Sequence, residues 1–379
     1  MIPLSIPQLA GNEWAYVKEC LDTNWISSAG AYVNRFEEQI AAFTGSAYAV
    51  ACMNGTAALH VSMRVAGVRP GDYVIAPNIT FVATCNAIAY TGAEPLLIDV
   101  DPETFQLDLD LLEDFLEKNL MAGPDGPVLR ENGRRVSCLM PVHVLGNMCD
   151  MDRLMTLARR FQLPVVEDST EALGSTFNGR HAGTFGVFGT SSFNGNKTIS
   201  TGGGGMIFTQ GEELAARLKH LTTTAKTDPL DYFHDEVGYN YRLVNVLAAL
   251  GVAQMEQLPG FLEAKKATDE HYRRELSGVG DIRFQAITPG CTPNNWLFTF
   301  RTERMRELLT YLNGNGVQSR PFWTPMHDLP MYAHVPYVTE NNRSADVHRT
   351  AISIPSSSGI TAEQRTRVIT TIKNFYAQA

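Results

Sequence analysis

Residues 191–209, SSFNGNKTISTGGGGMIFT, constrain this chain more than any other stretch. They set one lysine, Lys197, between two asparagine-bearing turns and a run of four glycines at 202–205. Glycine reaches backbone angles closed to other residues, so the run lets the chain turn sharply and approach a ligand closely. Apolar and hydroxyl residues flank Lys197 on both sides. A lysine in such surroundings loses solvation, and its pKa falls toward the range where the free amine is a nucleophile. Taken alone, such a stretch is more often a solvated loop lysine beside a flexible linker, because most lysines are exposed. The remaining sequence has to decide.

The chain of 379 residues, 44% of them hydrophobic, is long enough for a large domain with a smaller companion and a buried cofactor. A net charge of -9 argues against a general nucleic-acid binder, which is usually basic. Six scattered cysteines form no CxxC pair, which fits free thiols in a reducing compartment and no zinc site or other metal. The start, MIPLSIPQLAGNEW, lacks the basic and apolar regions of a signal peptide. No apolar run approaches the roughly 20 residues of a membrane span. A cytoplasmic protein without membrane contact is expected.

The periodicity predicts a helix over 11–22, with Trp14, Val17 and Leu21 on one face, and a second carrying Phe36, Ile40 and Phe43. An Asn-Gly turn then delivers a helix N-terminus at Gly55-Thr56. From there strands and helices alternate. Strands are expected over 73–76, 95–100, 136–144 and at VVED, and helices over ITFVATCNAIAY, around Leu109, Leu112 and Leu116, and after the capping residue Asp150. The polar stretch MAGPDGPVLRENGRR reads as a surface excursion. Such alternation argues for an α/β fold with a largely parallel sheet. A helix over 212–223 and a long one over 242–258 follow. Residues 1–258 are read as a large domain and 259–379 as a smaller α+β domain, with no internal repeat.

Asp168 ends the strand VVED, and Lys197 follows a strand-like run. In open α/β sheets, ligands bind at the carboxyl ends of strands. A lysine and a carboxylate so placed are what pyridoxal 5′-phosphate (PLP) chemistry needs: an amine for the Schiff base and an anion to keep the pyridinium protonated. By itself Asp168 reads equally well as a helix N-cap. Gly55 and Thr56 at a helix start, with the Ser192 hydroxyl, offer a phosphate cradle, although NGT alone is more often an ordinary turn. Phe81 is a candidate for the cofactor's ring face, with core packing the commoner fate of a phenylalanine. His143, at another strand end, either stacks on the ring or touches substrate, or is a satisfied core histidine.

Together the segments NGTAAL, ITFVATCNAI, PVHVLG, VVEDSTEALGS, SFNGNKTISTGGGGM, GYNYRLVNVLAALG and SRPFWTPMH resemble the DegT-type sugar-nucleotide aminotransferases, PLP enzymes of fold type I. The resemblance runs from IPLSIPQLAGNE to SIPSSSG and is most specific at SFNGNK with its glycine run. It implies that Lys197 is the Schiff-base lysine and proton shuttle, and Asp168 the pyridinium partner. The resemblance likewise implies that Glu171 lies near the phenolic oxygen or ring face, and that Gly55, Thr56 and Ser192 hold the phosphate. Asn240 in GYNYR is implied to reach the phosphate across a homodimer interface, so that two chains share each site. Lys226, Arg320 and His327 are candidates for substrate contacts, a solvated surface role being at least as common for each.

Within the family, HLTTTAK, EDSTEALGS and SRPFWTPMH are most similar to the branch that aminates C4 of a UDP-linked 4-keto-6-deoxy-2-acetamido sugar, with glutamate as donor. The alternatives are a GDP- or dTDP-linked keto sugar, or amination at C3, because these motifs surround the cofactor and say little about the nucleotide. A family variant with His in place of the lysine dehydrates its sugar, and this chain has Lys197. A non-catalytic nucleotide-binding or regulatory relative would be expected to lack Lys197 or Asp168, and both are present. A P-loop is not supported, since no GK[ST] follows the glycines.

Overall fold

The computed structural model describes residues 1–228 and 230–378. Its centre is a row of eight strands. Four run in the order Tyr48–Cys52, Gly205–Thr209, Phe188–Ser192, Val166–Asp168, and four in the order Val136–Leu139, Tyr73–Pro77, Glu94–Ile98, Tyr337–Val338. Parallel bridges Leu139–Val165 and Val142–Asp168 join the two sets. Only Gly205–Thr209 runs against its neighbours within this row. Strand Tyr73–Pro77 is buried along its whole length. Its alternate residues enter two different cores, Ile75 packing with Leu112 and Leu154, and Val74 with Leu59 and Leu218. A parallel strand covered on both faces is selected as a continuous apolar run.

This topology gathers the chemistry at one edge. The carboxyl ends of Tyr48–Cys52, Tyr73–Pro77, Val166–Asp168 and Phe188–Ser192 point the same way. From them emerge Gly55-Thr56, Phe81, Asp168 and Lys197.

A second, antiparallel sheet is built from Arg283–Phe284, Phe298–Arg301, Ala351–Ile354 and Arg320–Pro321. Helices Met305–Gly314 and Ala362–Ala377 cover it through Leu308, Leu312, Val368 and Ile372. Ile2 packs in this core and bridges to Val317, so the first residues join the C-terminal unit.

Several expectations need correction. The long helix does not stop near 258 but runs Asn245–Leu276 with Pro259 inside it. Proline costs a helix interior about 3 kcal/mol. Burying Leu258, Phe261, Tyr272 and Leu276 outweighs this at roughly 2 kcal/mol each. Position 258 therefore lies mid-helix: Leu258 and Phe261 pack with the large unit, Tyr272 and Leu276 with the small one. The excursion after the Leu116 helix does lie at the surface, and it is folded as a hairpin, Leu120–Gly123 with Gly126–Leu129. In helix Glu13–Asp22 the apolar face points outward: Trp14 is 75% and Leu21 54% exposed, while Glu13 and Cys20 are buried. Glu13 is satisfied there by the side-chain amides of Gln254 and Gln257 at 2.6 and 2.7 Å. The helix of ITFVATCNAIAY begins only at Ala83, which leaves Phe81 on a loop.

Candidate active site

Beyond strand Phe188–Ser192 the chain makes a tight excursion and returns into Gly205–Thr209. Phe193 N donates to the Gly204 carbonyl, and Thr201 N to the Phe193 carbonyl. Gly204 closes this excursion at φ 120°, where a side chain would be strained. Lys197 sits in the excursion, its N–H donating to the Asn194 carbonyl at 3.0 Å.

The Lys197 amine projects into a cavity of about 720 Å³. It lies 3.8 Å from Glu171 Oε1 and 4.2 Å from the ring centroid of Trp296. Burial lowers the Lys197 pKa from the ordinary lysine value, opposed by the negative charges of Glu171 and Asp168. Burial raises Glu171 to about 7, opposed by Lys197 and by the Leu145 N–H. Burial thus moves the two groups toward each other in proton affinity, the direction a proton-moving site requires.

Asp168 is 3% exposed and held on both oxygens. Oδ2 accepts from Thr84 Oγ1 at 2.7 Å, and Oδ1 accepts from Thr170 Oγ1 at 2.7 Å and Thr170 N at 3.2 Å. Beside it, helix Gly55–Val65 begins with Asn54, whose side chain accepts from Ala57 N at 2.7 Å. This cap aims the first turn, with Gly55 and Thr56, into the cavity. A Cβ on Gly55 would come within 2.9 Å of Ser192 Cβ, so only glycine lets the helix start and the strand end meet. The resulting nook has backbone N–H groups, two hydroxyls and the positive end of a helix dipole, which suits a phosphate. Amine, carboxylate and anion nook on one cavity wall are the donor set that PLP fits.

Of the candidate site residues, Gly55, Thr56, Phe81, Asp168, Glu171, Ser192, Lys197 and Arg320 all line the cavity. His143 does not. It is fully buried, and its Nε2 bonds Glu167 Oε2 at 2.9 Å. Glu167 also takes the N–H groups of Gly183, Phe185 and Gly186, which makes this a structural knot. Lys226 lies on the hairpin Lys226–Asp228 with Phe233–His234, its amine 4.3 Å from the Tyr232 ring centroid. His327 is 2.7 Å from Asn78 Nδ2 through Nδ1 and stacks on Tyr337 at 4.2 Å. Neither reaches the cavity of its own chain, and the same holds for Asn240, which is exposed and bridged to Thr223.

The sequence reading missed the aromatic wall. Trp296 stacks at 6.5 Å on Trp323, which meets Phe81 edge-on at 6.4 Å. Trp296 Nε1 donates to the Asn196 carbonyl at 2.7 Å, next to Lys197. Thr84 and Thr170, the donors to Asp168, were missed as well. The tryptophans in NNWLF and SRPFW were the available signal.

Fold and site define a PLP-dependent aminotransferase of fold type I. The chain belongs to the DegT/DnrJ/EryC1/StrS aminotransferase family, which matches residues 7–373. It is 37% identical to GDP-perosamine synthase of Caulobacter vibrioides over 97% of this chain and 96% of that protein. It is 30% identical to UDP-N-acetyl-3-dehydro-alpha-D-glucosamine 3-aminotransferase of Acidithiobacillus ferrooxidans over 89% of this chain and 86% of that protein. Among solved structures, the PLP-form of the sugar aminotransferase Spr1654 from Streptococcus pneumoniae superposes with a TM-score of 0.89. It is 26% identical and covers 100% of this chain and 98% of that one. The protein is a sugar-nucleotide aminotransferase. Among the described residues, no helix is long and apolar enough to cross a membrane.

Proposed function

We propose that this enzyme moves the amino group of glutamate to the keto carbon, C4, of a GDP-linked 4-keto-6-deoxy sugar. The carrying observation is the largely enclosed Lys197 amine beside Glu171, in the same cavity as Asp168 and the Gly55 nook. Bound PLP supplies the electron sink that lets a carbon next to nitrogen lose and regain a proton. Lys197 Nζ takes that proton from the donor and returns it to the sugar carbon. With PLP bound, Asp168 would hold the ring nitrogen, Gly55, Thr56 and Ser192 would hold the phosphate, Phe81 would lie against the ring, and Glu171 would support Lys197 in moving the proton. Arg320 meets an anionic group of the substrate, and the Trp296–Trp323 wall excludes water.

The nucleotide is supported by similarity. The GDP-named relative is the more alike of the two, and it spans more of the chain. The UDP-linked 2-acetamido sugar suggested by motif wording therefore gives way to the GDP alternative. Of the motifs behind the UDP reading, EDSTEALGS and SRPFW reach the cofactor cavity while Lys226 and His327 lie outside it, and none speaks for the base. The same reading takes the working unit as a homodimer in which Asn240 of one chain serves the phosphate of the other.

The test is to incubate purified holoenzyme with glutamate and a panel of GDP-, UDP- and dTDP-linked keto sugars, and to identify products by mass and NMR. The expected result is a GDP-linked 4-amino sugar with the highest kcat/KM. A preference for a UDP- or dTDP-linked substrate, or an amine at C3, would overturn this reading.

A further inference from the structure

The Asp168 carboxylate stands at the end of a short chain of hydroxyl groups. Thr84 Oγ1 donates to Asp168 Oδ2 at 2.7 Å, and Thr80 Oγ1 lies 2.7 Å from Thr84 Oγ1. Both threonines are fully buried. Proton counting sets the direction. A carboxylate acting as anion only accepts, so Thr84 gives its single hydroxyl proton to Asp168, and its oxygen can then only accept from Thr80. The Phe81 carbonyl, at 3.3 Å, is the longer alternative acceptor for Thr80. The result is a one-way relay, Thr80 to Thr84 to Asp168, in which each bond polarises the next.

The relay also has a place in the fold. Thr80 precedes Phe81 on the loop that lines the cavity, and Thr84 lies in the first turn of helix Ala83–Tyr90. The two hydroxyls therefore tie the loop carrying the ring-face phenylalanine to the carboxylate on the neighbouring part of the sheet. Thr170 fixes the other carboxylate oxygen from its own strand end. Thr84 is the only one of these donors that reaches Asp168 from across the sheet.

We propose that Thr84, backed by Thr80, is a positioning residue that fixes the Asp168 carboxylate for its work at the cofactor's ring nitrogen. This rests on the assignment of Asp168 as the partner of that nitrogen. Thr84 touches neither glutamate nor sugar, and it acts through Asp168.

Thr84→Val removes the hydroxyl at nearly constant volume, and Thr84→Ser keeps it. Three quantities report: the PLP dissociation constant from titration of apoprotein, the pH midpoint of the bound cofactor's absorbance change, and kcat against KM. A hydrogen bond to a charged group supports a loss of about tenfold or more. Thr84→Val is expected to weaken PLP binding and lower kcat by about that factor, shift the absorbance midpoint, and leave the KM for glutamate unchanged. Thr84→Ser should restore all three. Thr80→Val should give a smaller loss, and the double valine variant should be no worse than Thr84→Val, because both act along one chain. If valine disturbs folding, as read by thermal unfolding of apoprotein, Thr84→Ala makes the same comparison with serine.

Wild-type behaviour of Thr84→Val, or a serine variant as poor as valine, would overturn the proposal. Asp168→Asn separates the two levels. If it binds PLP as wild type does, the assignment of Asp168 fails. If it loses PLP while Thr84→Val does not, only the relay fails.

Discussion

At the scale of single residues, the site works by placing charges where water is scarce. Lys197 and Glu171 face each other in a buried cavity, and burial pushes both toward their neutral forms. The residual negative charge of Glu171 supports the ammonium form of Lys197. Glu171→Gln removes that support, so the Lys197 pKa should fall further. Competitive acetylation of apoprotein across pH, read by mass spectrometry of the Lys197 peptide, should show the midpoint moving to lower pH. A midpoint that rises or stays fixed would remove Glu171 from this role. His143 shows why such placement was only half legible in the sequence. The sequence suggests a strand end for it as for Asp168, but the strand stops at Leu139 and His143 precedes a short 3-10 turn, while side chains alternate across a sheet. Asp168 turns into the cavity, while its neighbour Glu167 turns away and takes His143 with it.

At the scale of elements, the helix start at Gly55 was readable because it is local: a turn, a cap and a first helical turn lie within a few consecutive residues. The aromatic wall was not, because Trp296 and Trp323 reach the cavity only once the small unit folds against the large one. The long helix that joins the units carries another feature hidden from sequence. Lys265 is 3% exposed, and its amine donates to the carbonyls of Trp296 and Ser356 at 2.8 and 3.0 Å. Burial lowers its pKa from 10.5 to about 7. The unfolded chain then binds more protons than the folded one between those values, so Lys265 makes folding more favourable as pH rises through that window. Each pH unit is worth about 1.4 kcal/mol there. In Lys265→Met this contribution vanishes. Denaturant unfolding of apoprotein at pH 7 to 10 should show a stability difference between wild type and variant that shifts toward wild type with rising pH. A difference independent of pH would contradict the buried, lowered amine.

At the scale of the molecule, helical spacing found the Trp14 stripe but could not say which body it faces. In one chain it faces outward, with Trp14, Leu21, Trp25 and Ile26 each at least half exposed. A second copy covering such residues accords with the proposed sharing of Asn240. Mixed dimers test this. Lys197→Ala and Asn240→Ala chains, coexpressed, would form one intact site from the Lys197 of one chain and the Asn240 of the other. Activity in the mixture should exceed the sum of the two variants measured separately. Activity equal to the sum of the separate variants would mean that each chain completes its own site.

The central claim is that Lys197 is the residue that bonds the cofactor. Borohydride reduction of the PLP-loaded enzyme, followed by digestion and mass mapping, tests it directly. The expected outcome is one pyridoxyl group per chain, on the peptide containing Lys197, and none in Lys197→Ala. A label on another lysine, or no label on a fully loaded enzyme, would contradict the account.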